Sequence, residues 1–160
     1  METQKLFFEM VKYNSGDRAQ IFHFINVHGF ARRIGLAEGL DEKTQFILEA
    51  AALVHDIGIT PAIKKYGSAD GKYQEELGPA EADETLRRLS FDKDAAERVC
   101  YLVSRHHTLD NIDGIDHQIL IEADFLVNLA GEKNASRVEA IIEKHFKTEA
   151  GKSLCRTMYL

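Results

Sequence analysis

The sequence predicts an all-α fold, a single compact bundle of six to eight helices spanning residues 1–160. Three observations predict it. Apolar residues recur at three- and four-residue steps through most of the chain, which is the period of a helix with one buried face. No stretch alternates apolar and polar residues as a half-buried strand would. The two prolines, Pro61 and Pro79, fall in one irregular stretch and leave the other periodic segments unbroken. A length of 160 residues suits one domain with one core, and the motif-bearing part runs over 17–131.

The first amphipathic segment covers about 3–13, with Thr3 as a candidate cap. The second, about 17–38, carries Ile21, Phe24, Ile25, His28 and Ala31 at helical steps. Gly39 stops it, and Asp41 caps a third helix over about 42–56. Gly58 and Pro61 end that helix just after His55-Asp56. Residues 57–77 carry many charges and read as a surface loop or lid. Helices resume at about 79–89, 93–107, 116–131 and 134–147, and the tail "TEAGKSLCRTMYL" is ambiguous.

Composition excludes several classes. With 29% charged residues, and no apolar run near the ~20 residues that span a bilayer, a membrane protein is not expected. The N-terminus lacks a basic-then-apolar leader, so a cytoplasmic location is the default reading. Cys100 and Cys155 lie far apart without metal-type spacing and read as ordinary thiols. A net charge of −6 disfavours a nucleic-acid polymer as partner, while a small phosphorylated substrate is compatible with it if a metal or local cations reverse the field. A homodimer is left open.

Ionisable residues sit where the core should be. His28 shares a face with Phe24 and Ile25, and His55 follows Ala51 and Ala52. Asp124 lies inside "ILIEADFLVNLA". A lone buried carboxylate there would cost several kcal/mol or become protonated. Each taken singly reads as a hydrogen-bonded core residue or cap. Together, His28, His55, Asp56 and Asp124 come from three helices, and one divalent cation would satisfy them all. Adjacent helical residues point about 100° apart, so His55 and Asp56 can share a ligand only at a helix end, where Gly58 places them.

The ordered set resembles the HD-domain superfamily of metal-dependent phosphohydrolases. "NVHGFARRIGLAEGLD" supplies His28, "ILEAAALVHDIGI" supplies His55-Asp56, "LVSRHHTLDNIDG" supplies His106-His107, and "ILIEADFLVNL" supplies Asp124. The resemblance implies a helical bundle with a metal-binding cleft. It implies His28, His55, Asp56 and Asp124 as ligands of a divalent ion (Mn, Fe, Ni, Co, Zn or Mg), one ion rather than two. Branches with two metals carry a further histidine where this chain has Leu77; Glu75 or Glu76, just before it, could substitute. A glutamate often found three residues after the doublet's Asp is here Ile59.

As an enzyme of this kind, the protein would hydrolyse a nucleotide or another phosphomonoester. Asp56 would bridge metal and water, and His106 or His107 would protonate the leaving oxygen, stabilise charge on the phosphate, or serve as ligands of a second metal. Arg32, Lys64, Lys65 and Arg105 are the candidate phosphate-binding cations, each with a solvated surface charge as the alternative reading. The competing class is a non-catalytic metal- or nucleotide-binding module with a sensor or interaction role.

Overall fold

The computed structural model describes residues 2–160. The helices run α1 Glu2–Tyr13, α2 Arg18–Ala37, α3 Glu42–Val54, α4 Ile59–Tyr66, α5 Gly71–Arg88, α6 Lys93–Val103, α7 Ile115–Asn128, α8 Ala135–His145 and α9 Glu149–Tyr159. No strand occurs among the described residues.

Local chemistry fixes most starts. The side chain of Asp17 accepts a hydrogen bond from the Gln20 amide, and Asp41 accepts from the Lys43 and Thr44 amides. Asp92, Asn134 and Thr148 do the same for α6, α8 and α9. Each such cap satisfies a backbone donor that the helix leaves without a partner.

Helix α3 is the axis of the bundle. Every residue from Ile47 to Val54 is buried, so no face of its second half meets solvent. Ala50, Ala51 and Ala52 keep that half thin, which lets α2, α6 and α7 approach it closely. Phe24, Val27, Ala31 and Ile34 of α2, Val99, Leu102 and Val103 of α6, and Leu120 and Ala123 of α7 complete the core. By length and composition the stretch Glu42–Tyr66 could cross a membrane, contrary to the reading of the sequence alone. It is interrupted by a turn at 55–58, and 67% of its apolar window is buried in the domain, which explains its hydropathy.

Residues 57–77 differ from the expected loop. They form α4, a short link and the first turns of α5. The glycines mark boundaries and close contacts instead of disorder. Gly67 adopts a left-handed φ of 67° and ends α4. The tyrosine rings of Tyr66 and Tyr73 stack at 4.2 Å, and Glu76 takes Lys65 at 3.1 Å and the Tyr66 hydroxyl at 2.6 Å. These contacts tie α4 to α5 as a fixed hairpin. A Cβ on Gly58 would lie 2.5 Å from the carbonyl oxygen of Gln74, and one on Gly78 would lie 2.8 Å from Val103. Only glycine allows the 55–58 turn to rest directly on α5.

The ambiguous tail is α9. The fully buried carboxylate of Glu122 on α7 accepts from the Lys147 and Thr148 amides, the Thr148 hydroxyl and the Gln118 side chain, which docks the tail. Both cysteines are free thiols, and burial pushes each up to about 11.

Candidate metal centre

Helix α3 stops at Val54, and His55 and Asp56 occupy the turn beyond it. At that end of the bundle α2 and α7 run alongside. His23 of α2 and Asp124 of α7 meet the doublet there. His23 Nε2 lies 3.1 Å from Asp124 Oδ1, 3.3 Å from Asp56 Oδ2 and 3.2 Å from His55 Nε2. His55 Nε2 is 3.3 Å from Asp56 Oδ2 and 3.7 Å from Asp124 Oδ1. From the other side, His106 Nε2 approaches Asp56 Oδ1 at 3.4 Å.

The histidines are oriented as ligands require. His55 Nδ1 donates to the Ala52 carbonyl at 2.9 Å, and His106 Nδ1 donates to the Val103 carbonyl at 2.8 Å. With Nδ1 carrying the proton, each Nε2 presents a lone pair to the centre. Gln20 on α2 donates to Asp56 Oδ2 at 2.8 Å and holds that carboxylate in place.

The donors and acceptors do not balance. His106 Nε2 and Asp124 Oδ1 are buried without hydrogen-bond partners, and two imidazole nitrogens face one another 3.2 Å apart. Buried groups of this kind ordinarily find partners. A cation accepts all of these lone pairs at once. Two groups place their donor atoms within 4.8 Å of one another: His23, His55 and Asp56, and Asp56, His106 and His107. Asp56 belongs to both.

Electrostatics agree with this picture. Burial opposes a charge on His55, yet the Asp56 and Asp124 carboxylates outweigh it and hold its pKa well above the ordinary value. Burial also opposes ionisation of Asp56 and Asp124. The histidines beside them overcome it, and both carboxyls lie well below the usual carboxylate range. Without a cation, a proton on His55 does part of a cation's work.

A cleft of about 440 Å³ opens onto the centre, lined by Asp17, Gln20, His23, Asp56, Gln74 and Asp124 among others. His107 stands at its edge. Its Nε2 donates to Gln74 Oε1 at 3.1 Å, because the Gln74 amide nitrogen is itself a donor to the Ala69 carbonyl. This leaves His107 Nδ1 as the free ring nitrogen.

Residues 21–131 match the HD domain family. The chain belongs to the HD domain family. A solved relative, described as a predicted HD superfamily hydrolase from an uncultured Thermotogales bacterium, shares the fold with a TM-score of 0.67 and 22% identity. The match covers 96% of this chain and 83% of that one. No curated protein sequence matches the chain significantly.

This HD domain brings His55, Asp56, Asp124 and His106 together, with His107 beside them, and it corrects the first histidine. His28 does not reach the centre; its Nε2 bonds to Glu49 at 3.2 Å. His23 stands in the place expected of it. Five residues of helix turn a side chain through a net angle of about 140°, so the two histidines leave α2 in different directions. The usable signal was the stripe Gln20, His23, Val27, Ala31 and Ile34, which shares one face; Val27, Ala31 and Ile34 are fully buried.

The expected phosphate-binding cations are not among the residues that line the cleft. Arg32 pairs with Glu49 at 2.7 Å beside His28, and Lys65 pairs with Glu76. Lys64 is exposed on the last turn of α4, and the backbone carbonyl of Arg105 accepts from His117. None of the four lines the cleft. On α5 the residue turned toward the centre is Gln74, one turn before Leu77. Glu75 accepts from the His107 amide and the Thr108 hydroxyl, so it fixes the 104–108 turn.

Proposed function

We propose that this HD domain is a metal-dependent phosphohydrolase acting on a small phosphorylated molecule, a nucleotide or another phosphomonoester. One observation carries the reading: donor atoms of His23, His55, Asp56 and Asp124 converge at one buried point, where Asp124 Oδ1 and the nearby His106 Nε2 have no hydrogen-bond partner. His23, His55, Asp56 and Asp124 would hold a divalent cation, and the mixed imidazole and carboxylate set suits Mn, Fe, Ni, Co, Zn or Mg. When bound, the ion polarises a phosphoryl oxygen and yields a nucleophile from water near neutral pH.

The chain's own groups do the rest. Asp56 sits between the two groups of ligands, where its carboxylate can orient a water toward phosphorus. Gln20 holds the carboxylate's Oδ2 side so that it cannot swing away. Burial, then the neighbouring His106, keep the His107 imidazolium below its ordinary pKa, so a proton carried on Nδ1 is readily passed to a leaving oxygen. Ile59 lines the cleft and carries no titratable group, and the proton handling falls to Asp56 and His107 beside the centre.

The second reading, a binding module without turnover, is favoured by the absence of Lys and Arg among the residues lining the cleft. Purified protein should be assayed for metal content and then for phosphate release from nucleotides and simple phosphate esters. Metal-dependent release supports the hydrolase. Bound metal with no release from any ester overturns it in favour of the binding module.

A further inference from the structure

A second, smaller cavity of about 180 Å³ lies beside the centre, with no α2 residue in its lining. It is lined by Leu109, Ile121 and Phe125 together with His106, His107, Asp124 and Asn128. His107, Asp124 and Asn128 line the main cleft as well, so both cavities open onto the same centre. The smaller cavity is the less polar of the two. The main cleft carries Asp17, Gln20, Gln74 and the ligand carboxylates beside the apolar Ala19 and Ile59. The smaller cavity carries an aromatic ring, a fully buried aliphatic wall at Ile121 and an exposed leucine on the 108–114 loop.

We infer that this apolar cavity receives the organic carrier of the phosphate ester, and that the carrier is a compact apolar or planar group. The inference rests on the phosphoryl group being held at the centre, as proposed above. Three features commit the cavity to this occupant. It is continuous with the centre through a shared ligand, Asp124. At about 180 Å³ it is below the ~300–1,000 Å³ of sites that enclose a whole ligand, so it suits one part of a molecule. The Asp17, Asp56 and Asp124 carboxylates of the main cleft, with no Lys or Arg beside them, repel a carrier that bears further phosphates. Phe125 is itself braced by the His145 ring stacked on it at 5.0 Å, which holds this aromatic lining residue in place.

The test uses two non-hydrolysable probes, phenylphosphonate and methylphosphonate, titrated calorimetrically into the metal-loaded protein. Phenylphosphonate should bind at least about tenfold more tightly, as expected for filling an apolar pocket. The ratio should fall toward one in Leu109→Ser, a change on an exposed loop, and should also fall in Phe125→Leu. Equal affinities, a ratio untouched by Leu109→Ser, or no binding of either probe would overturn the inference. Hydrolysis of esters without a phenyl preference would sink the carrier subsite alone. A phenyl preference with no hydrolysis of any ester would keep the subsite and sink the hydrolase.

Discussion

Helix α2 carries two histidine–carboxylate clusters, one on either side, and only one of them asks for a ligand. Around His28, the Glu49 carboxylate receives His28 Nε2, Arg32 at 2.7 Å and Gln45 at 2.8 Å. Its charge is met by a guanidinium and its lone pairs by donors. Around His23, the carboxylates of Asp56 and Asp124 meet only imidazoles and the Gln20 amide, and two buried atoms, His106 Nε2 and Asp124 Oδ1, have no hydrogen-bond partner. Both clusters are mostly buried, so burial of ionisable groups does not distinguish them. The charge balance does: Arg32 offsets the Glu49 carboxylate, although Gln45 Oε1 there also lacks a partner, whereas Asp56 and Asp124 have no Lys or Arg beside them.

The comparison breaks most sharply at Asp56. Asp56→Ala should drop phosphate release to background and remove bound metal, read by a phosphate assay and elemental analysis. Retention of both would dissolve the metal centre as described. The two histidines come next. His23→Ala should lose metal. His28→Ala should keep it and instead lose about 1–3 kcal/mol of stability in denaturant unfolding, because Glu49 gives up one donor. Reversed phenotypes would restore His28 as the ligand.

A pH titration sharpens the contrast further. In the metal-free protein the His55 pKa is raised well above 6.5, so its proton is present at neutral pH and is lost only as pH rises through that higher value. A cation must displace this proton. Metal affinity should therefore rise between about pH 6 and 8, with proton release visible by calorimetry in buffers of different ionisation enthalpy. Affinity that stays flat over this range would contradict the shared proton. The smallest effect belongs to Gln20, which touches Asp56 and not the ion. Gln20→Ala should weaken metal affinity about tenfold with the ion stoichiometry unchanged.

Periodicity made seven of the helices legible, and the caps Asp17 and Asp41 lie where the sequence placed the starts of α2 and α3. The segment 57–77 was opaque because its order comes from partners distant in sequence. Tyr66 against Tyr73, Glu76 against Lys65 and Gly58 against Gln74 make it a hairpin. The tail was opaque for the same reason, since α9 is anchored by Glu122 of α7. Leu77 holds the corresponding place in the chain, whereas Gln74 is the α5 side chain that lines the cleft and bonds to His107.

The sequence by itself determined the helical class, the doublet at the end of α3 and the awkward carboxylate of Asp124. These follow from local period, capping chemistry and the cost of burying charge, all of which are properties of short segments. Only the tertiary structure decided between His23 and His28. Both lie on partly apolar faces of one helix, and which face meets α7 depends on how α2 is rotated in the bundle. That rotation is set by the summed packing of Val27, Ala31 and Ile34 against α3 and α7, a quantity no single segment encodes.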